Sequence, residues 1–301
     1  MTAHGAQDHA HLARRMTRGA VAMLAARLAS AVAGLGATAV LARFITPEEH
    51  GLVAMVLAAM ALARAFEEAG LGDAMVQRAE VSEAQMSSLF WFNTASGALL
   101  TLVFALGAPL LAKILGEPSL APFALALSPL FLLSALGAQH RAWLRRHLSF
   151  RALALAASGS VLAGAVAGVA AAFAGLGPWA LVVQQLATAT TLLAAAWTSS
   201  GLRPARPALA DGLRPLLSYG ISHTGTQLVT AASRNIDTIL LGRVAGPAIA
   251  GVYDRAFRTM ALPATQLNQP MASAVVPALA RLPHDPDGYR SVCSFEQRPD
   301  R

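Results

Sequence analysis

The stretch SRNIDTILLGRVAGPAIAGVYDRAFRTMALP, residues 233–263, places charged side chains within two apolar runs that a Gly-Pro turn joins. Part of this stretch repeats an earlier one at a fixed offset of 200 residues. The identical pairs are Leu41 and Leu241, Arg43 and Arg243, Pro47 and Pro247, Gly51 and Gly251, Met60 and Met260, Ala61 and Ala261, and Leu62 and Leu262. The constant offset predicts an internal repeat whose second copy begins late in the chain.

The composition is that of a membrane protein. Hydrophobic residues make up 55% of the 301 residues and charged residues only 13%, against about 25% charged in a soluble domain. The net charge of +7 does not indicate nucleic-acid binding, because the basic residues occupy short loops and do not form patches interleaved with aromatics. Cys293 is the only cysteine, which excludes an intrachain disulfide.

Apolar runs of bilayer length define the predicted fold. A membrane-spanning helix needs about 20 predominantly apolar residues. Such runs predict an all-α, polytopic membrane helix bundle of about eight transmembrane helices, at 17–44, 50–66, 86–113, 119–141, 152–174, 178–199, 213–241 and 248–270. The predicted organisation is a tail (1–16), a six-helix bundle (17–200), a linker (201–212), two helices of a second bundle (213–282) and a polar tail (283–301).

The arginines predict the orientation, because cytoplasmic loops carry the excess of Lys and Arg. If the N-terminus is cytoplasmic, the outer turns hold only Arg43, Lys113 and Arg243. The inner segments then hold Arg14, Arg15, Arg18, Arg78, Arg141, Arg145, Arg146, Arg151, Arg203, Arg206, Arg214, Arg281 and Arg290. We therefore expect both termini in the cytoplasm. The first and seventh helices then run in the same direction, so the repeat is parallel, with its axis along the membrane normal.

Two arginines within the first two helices are candidates for a polar cavity, because an ionisable residue near the bilayer centre costs about 2.5–3.5 kcal/mol. Arg27 lies roughly 15 Å into the first helix, at 1.5 Å per residue. It shares a helical face with Ala31, Gly34 and Thr38, a small and weakly polar stripe. Arg64 is closer to the cytoplasmic end of its helix, from where its side chain can also reach the membrane surface.

The seventh and eighth predicted helices carry the densest polar pattern. Steps of four, three, four and three residues put one group of side chains on one face: His223, Gln227, Thr230, Arg234 and Asp237. The eighth helix begins with Asp254, Arg255 and Arg258, so we expect pairs between Asp237 and Arg234, between Asp254 and Arg258, and across the hairpin through Arg255. Two interpretations remain open: a structural network of polar contacts between helices, or a cavity in which arginine binds an anionic head group and an aspartate exchanges a cation.

No motif in the sequence indicates an enzyme or a metal site. A Walker lysine, HExxH and GxSxG are all absent, and no acidic pair lies near a loop. Gly70 and Gly72 follow a membrane helix and not a strand, so they do not form a dinucleotide fingerprint. An integral-membrane transferase is therefore the least favoured reading.

Several blocks resemble the Wzx-type polysaccharide and oligosaccharide flippases, which belong to the superfamily of the MATE multidrug antiporters. These blocks are ARFITPEEHGLVAM (42–55), EEAGLGDAMVQR (67–78), SEAQMSSLFWFN (82–93), GLGPWALVVQQL (175–186) and the stretch at 233–263. The resemblance covers residues 17–290 and is closest to exporters of lipopolysaccharide, exopolysaccharide or teichuronic acid.

The resemblance implies a transporter in the bacterial inner membrane that flips undecaprenyl-diphosphate-linked oligosaccharide to the outer leaflet by alternating access. It implies a cationic cavity, which carries over to Arg27, Arg64, Arg234 and Arg255. Arginine suits a diphosphate because it binds phosphate oxygens in bidentate fashion. Coupling to a proton or sodium gradient is also implied, with Asp237 and Asp254 as candidates and no bound cofactor. Membrane lipid and a functional link to a polysaccharide polymerase and glycosyltransferases complete the implied partners.

The C-terminal segment departs from the resemblance. The family pattern continues past PALARLPHDPDGYR (277–290) into further helices, whereas Ser291–Arg301 matches nothing in it. We therefore expect a C-terminally truncated chain. Two alternatives to a working flippase stay open: an inactive fragment, and a MATE-type cation or drug antiporter, whose cavity would favour aromatic and acidic residues over arginine.

Overall fold

The computed structural model describes residues 28–67, 83–147, 149–203, 205 and 213–261. Within these ranges the secondary structure is helical, without strands. The helices are α1 (Leu28–Phe44), α2 (Pro47–Glu67), α3 (Glu83–Leu106), α4 (Ala108–Leu115), α5 (Leu120–Leu127), α6 (Pro129–Arg146), α7 (Phe150–Phe173), α8 (Trp179–Ser200), α9 (Leu213–Ala245) and α10 (247–261). The protein is an all-α polytopic membrane helix bundle, as the sequence predicts.

Five stretches among the described residues are long and apolar enough to cross a membrane. They are Pro47–Phe66, Gln85–Leu106, Leu120–Arg146, Phe150–Phe173 and Trp179–Ser200. The described part of α1 is apolar but shorter. Helix α9 is not among the five stretches, and its sequence contains many charged and polar side chains. Large apolar side chains such as Leu106, Val166 and Phe173 are exposed on the bundle, which is typical of surfaces that contact lipid.

Two of the predicted helices are interrupted. The run at 86–113 breaks at Gly107 between α3 and α4, and the run at 119–141 breaks at Ser128 between α5 and α6. The second break has a clear cause, because Pro129 has no N–H to donate to the carbonyl of Leu125. The Ser128 hydroxyl donates to that oxygen instead, at 2.8 Å.

A capping box starts α2. The Glu49 backbone N–H donates to Thr46 Oγ1 at 3.2 Å, and the Thr46 N–H donates to Glu49 Oε2 at 2.9 Å. Pro47 occupies the first helical position, where its missing N–H costs nothing. The helix therefore begins at Pro47, three residues earlier than the predicted 50.

The ends of four helices, α1, α4, α7 and α9, lie on one side of the bundle, which we call the turn end. The rings of Phe44 at the end of α1 and Phe173 at the end of α7 are 4.9 Å apart. Arg243 near the end of α9 donates from Nε to the carbonyl of Ile114 in α4, at 3.1 Å. Thus α1 and α9 run in the same direction, as the predicted parallel repeat requires.

The other side, which we call the basic end, is where α6 and α8 end and α3 and α7 begin. Ala205 follows α8 and is fixed to α3 by two bonds: Trp91 Nε1 donates to its carbonyl at 3.0 Å, and its own N–H donates to Ser87 Oγ at 2.9 Å. Four arginines lie at this end: Arg145, Arg146, Arg151 and Arg203. The described structure therefore gathers these basic residues at one end, in agreement with the predicted loops.

The largest buried cluster joins α2 to α4, α5, α6 and α8. Met55, Met60, Leu120, Leu127 and Phe131 are almost completely buried in it. Burial of such side chains is worth about 1.5–3 kcal/mol each in water, although lipid lowers this gain for a membrane bundle. The cluster packs α2, one of the helices that carry candidate arginines, against α4, α5, α6 and α8.

The two copies of the repeat meet at their equivalent glycines. A Cβ on Gly51 would collide with the carbonyl oxygen of Pro247, and a Cβ on Gly251 would collide with the carbonyl oxygen of Pro47. The same Cβ on Gly251 would also lie 2.8 Å from the Gly51 nitrogen. The contact is reciprocal, as expected on a two-fold axis that relates the copies. Glycine at both positions permits the backbones to approach this closely.

The structure divides into two compact units, Met1–Val252 and Tyr253–Arg301. The features above belong to the first unit. The described part of the second unit is the helical segment 253–261 at the end of α10.

Candidate functional site

Helix α9 has three distinct faces. Thr238 and Gly242 are buried, and Gly242 packs so closely on Met55 of α2 that a Cβ would collide with its sulfur. Exposed apolar side chains lie on the opposite side: Val229, Ile236 and Leu240. Between these two faces runs an exposed polar stripe of Thr230, Arg234 and Asp237, the group that the four-and-three spacing predicts.

Arg64 of α2 and Arg234 of α9 lie at a similar depth. The two helices are antiparallel and touch at Met55 and Gly242. Arg64 is nine residues beyond Met55 toward the basic end, and Arg234 is eight residues from Gly242 in the same direction. At 1.5 Å per residue these steps are about 13 and 12 Å. The structure thus brings two of the four candidate arginines to one level of neighbouring helices.

Neither guanidinium is neutralised within the residues that the structure describes. Arg64 is half-buried and Arg234 is exposed, and neither forms a hydrogen bond or ion pair with a described side chain or carbonyl. The expected pair of Arg234 with Asp237 is therefore not formed. Arg64 lies in the last turn of α2, toward the basic end. Charged side chains in membrane helices normally pair with one another or face water.

The second unit contains a different arrangement of charge. Arg258 Nε donates to both carboxylate oxygens of Asp254, at 2.9 and 2.8 Å, so the expected pair four residues apart is confirmed. Asp254 is buried, whereas the Arg258 side chain is 54% exposed. Arg255 is half-exposed, and its expected pairing across the hairpin stays a prediction.

Parts of the predicted site lie outside the described residues. These are Arg27 and the side chain of His223. Gly34 and Thr38 belong to the stripe that Arg27 was expected to share. A Cβ built on Gly34 would lie 3.8 Å from Val161 Cγ1 of α7. The hydroxyl of Thr38 donates to the Gly34 carbonyl at 2.9 Å. The described part of the α1 stripe therefore serves helix packing and internal bonding.

Sequence reasoning missed a buried polar pair near the basic end of α6. Gln139 and His140 have no exposed surface, and His140 Nδ1 lies 2.8 Å from Ser200 Oγ. Both polar amide atoms of Gln139 and Nε2 of His140 have no hydrogen-bond partner among the described residues. The aromatic rings of Phe90 and Trp197 cover the imidazole. The sequence signal was the adjacent Gln and His within the predicted helix at 119–141.

The comparisons with known proteins decide the family. A family model described as polysaccharide biosynthesis protein matches residues 40–296. The chain belongs to this family. The resemblance to Wzx-type proteins is thereby confirmed, and the chain is a multi-pass membrane protein of polysaccharide biosynthesis.

Three curated relatives show the range of this family. The lipopolysaccharide biosynthesis protein WzxC of Escherichia coli K12 is 29% identical over 85% of this chain and 53% of its own length. The succinoglycan biosynthesis transport protein ExoT of Rhizobium meliloti is 28% identical over 82% of this chain and 50% of its own. The teichuronic acid biosynthesis protein TuaB of Bacillus subtilis is 27% identical over 70% and 44%.

The chain spans about half the length of the curated relatives that it matches. No solved structure matches it. Among the residues that the structure describes, each of two packed helices, one from either copy of the repeat, thus carries an arginine without an ion pair. Such an arrangement can attract an anionic group between the copies.

Proposed function

We propose that this protein flips an undecaprenyl-diphosphate-linked oligosaccharide from the inner to the outer leaflet of the bacterial inner membrane. The proposal rests on Arg64 and Arg234, which lie at about one depth on adjacent helices of the two repeat copies. Neither arginine has an ion pair within the described part of the chain. The names of the relatives support it, since they refer to lipopolysaccharide biosynthesis and to succinoglycan transport.

The chemistry of the proposed substrate matches these residues. A diphosphate presents several anionic oxygens, and guanidinium groups bind such oxygens in bidentate fashion. An arginine at the centre of a membrane helix costs about 2.5–3.5 kcal/mol on insertion scales, and the cost is lower near a helix end, where Arg64 lies. A bound diphosphate would offset much of this cost, whereas a cationic drug would increase it. The arginines therefore favour the flippase over the cation antiporter.

Alternating access is proposed around the glycine contact of the repeat. Gly51 and Gly251 hold the two copies together near the turn end. The arginines lie toward the basic end, which the positive-inside rule assigns to the cytoplasm. In this account the head group enters from the cytoplasmic side, and the repeat copies rock about the glycine contact. Both termini are then cytoplasmic.

Asp237 is the proposed coupling residue. It is exposed on the same stripe of α9 as Arg234, where a proton or sodium ion from water could reach it. Asp254 is less suited to exchange a cation, because both of its oxygens already accept bonds from Arg258. Arg255, together with Arg27, remains a candidate for further contacts to the head group.

The test is the leaflet distribution of undecaprenyl-linked oligosaccharide in a strain that lacks this gene and other flippases. We expect the lipid to accumulate in the inner leaflet, and restoration of the 301-residue chain to relieve the accumulation. Restoration of an Arg64→Gln/Arg234→Gln variant should not relieve it. If nothing accumulates in the deletion strain, the substrate assignment is wrong and the antiporter becomes the better account.

A further inference from the structure

A groove between α7 and α8 arises from the way these helices cross. Gly164 and Gly168 of α7 lie against Thr188 and Gln184 of α8, and a Cβ on Gly168 would be 2.8 Å from the Gln184 Cβ. Small residues four apart allow such close contact between membrane helices. Nearer the basic end, the side chains between the two helices are too small to fill the space that remains. A cavity of about 510 Å³ is left there.

The groove has an apolar wall and a polar mouth. Its apolar lining is Ala152, Leu155, Ala156 and Ala195. Its polar lining consists of Ser149, Arg151 and Ser199. The lining contains a guanidinium and two hydroxyls but no carboxylate. A ligand that matches it therefore has an anionic end at the basic end of the bundle and an apolar part that extends along the helices.

The three polar groups retain their hydrogen-bonding capacity within the described structure. Ser149 precedes α7 without a side-chain capping bond, and no described residue bonds to the side chains of Ser199 or Arg151. The residues on either side of Ser199 differ: Thr198 Oγ1 donates to the Ala194 carbonyl at 2.9 Å, and Ser200 Oγ contacts His140 at 2.8 Å. Ser199 is thus the hydroxyl of this helix end that remains available to a ligand.

The position of the groove identifies the source of the ligand. It lies at the basic end, which the proposed orientation places at the inner leaflet, where lipid phosphates occur at this depth. A zwitterionic lipid would bring an ammonium group, for which the lining provides no carboxylate. An acidic phospholipid such as phosphatidylglycerol brings only the phosphate and neutral hydroxyls, and its acyl chain fits the wall formed by Leu155 and the alanines.

We propose that the groove between α7 and α8 binds the phosphate head group of an acidic inner-leaflet glycerophospholipid, through Arg151, Ser149 and Ser199. The site is distinct from Arg64 and Arg234, so it serves a membrane lipid and not the flipped substrate. It shares with the proposed function only the orientation of the chain in the membrane.

The experiment measures phosphatidylglycerol binding to the purified chain by native mass spectrometry, with phosphatidylethanolamine and undecaprenyl diphosphate as competing lipids. We expect Arg151→Ala to raise the Kd for phosphatidylglycerol by roughly tenfold, the effect of losing one charge-assisted hydrogen bond. Arg203→Ala is the matched control, because Arg203 is an exposed arginine at the same end that does not line the groove. It should leave the Kd nearly unchanged.

A second variant separates the groove from simple charge attraction. Leu155→Trp keeps Arg151 and fills the apolar wall at a side chain that is 54% exposed, so the fold should tolerate it and binding should weaken. The proposal is overturned if Arg151→Ala and Arg203→Ala weaken binding equally, or if Leu155→Trp has no effect. It is also overturned if phosphatidylethanolamine or undecaprenyl diphosphate displaces phosphatidylglycerol from the wild-type groove at equal concentration.

Discussion

Replacement of Gly51 by alanine tests the contact that joins the two repeat copies. The new Cβ would collide with the Pro247 carbonyl oxygen and would lie 2.6 Å from its carbon and 3.0 Å from the Gly251 nitrogen. All of these atoms are backbone atoms, so no side-chain rotation can relieve the collision. The starts of α2 and α10 must separate by about an ångström or more to restore ordinary contact distances.

The expected cost follows from this geometry. Overpacking of a close contact typically costs about 1–3 kcal/mol, and we expect Gly51→Ala to lower the free energy of unfolding by this amount. Gly251→Ala should have a similar effect, because its Cβ would collide with the Pro47 carbonyl. The double variant should cost less than the sum of the two, since one separation of the helices relieves both collisions.

The assay is denaturant unfolding of the purified chain in mixed micelles, followed by tryptophan fluorescence. Gly36→Ala is the matched control, because a Cβ at Gly36 of α1 meets nothing within 4 Å. Alanine there should be neutral or stabilise the helix by about 0.5–1 kcal/mol. If Gly51→Ala and Gly36→Ala have the same stability, or if the two repeat glycines contribute additively, the proposed close contact is refuted.

Three further sets of substitutions test other parts of the structure. Arg243→Ala should cost about 0.5–1.5 kcal/mol of stability through loss of the hydrogen bond to the Ile114 carbonyl. The repeat-related Arg43→Ala should cost less, because Arg43 has no hydrogen bond or ion pair with described residues, and equal thermal shifts of the two variants would contradict this. Gln139→Leu should leave the free energy of unfolding unchanged or raise it by about 1 kcal/mol, since it removes a buried amide that has no hydrogen-bond partner among the described residues. A loss of stability in the same unfolding assay would show that the amide is hydrogen-bonded. Asp237→Asn should abolish the dependence of lipid translocation on an imposed proton or sodium gradient. Asp254→Asn should chiefly lower stability, by about 0.5–1 kcal/mol, because its ion-pair partner Arg258 is half-exposed and such pairs contribute little. A gradient dependence that survives Asp237→Asn but not Asp254→Asn would reverse the assignment.

The periodic parts of the fold were predictable from the sequence. Each predicted apolar run coincides with helix wherever the structure describes it, although 17–27 and 262–270 lie outside the described residues. The repeat offset correctly indicated that α1 and α9 run in parallel. The length of an apolar run can be read directly from the sequence. A parallel repeat can also be read from it, because it appears as identical residues at a constant offset. The breaks at Gly107 and Ser128 were missed, because each lies inside a continuous apolar run that hydropathy alone does not divide.

The candidate site was predictable only in part. The stripe on α9 follows from helical spacing, and the Asp254–Arg258 pair follows from a separation of four residues. The similar depth of Arg64 and Arg234 required the packing of Gly242 on Met55, which depends on how two distant helices meet. The groove at Arg151 likewise depends on the crossing of α7 and α8, which no local pattern specifies.

The most direct measurement for the central claim is the affinity of the purified chain for undecaprenyl diphosphate carrying a short oligosaccharide, in nanodiscs at low salt. The account predicts that Arg64→Gln and Arg234→Gln each raise the Kd by roughly tenfold or more, as expected for loss of a charge-assisted contact. Arg43→Gln, an exposed arginine at the turn end, should leave the Kd unchanged. Equal affinity of wild type and Arg64→Gln/Arg234→Gln would contradict the claim that these arginines bind the diphosphate.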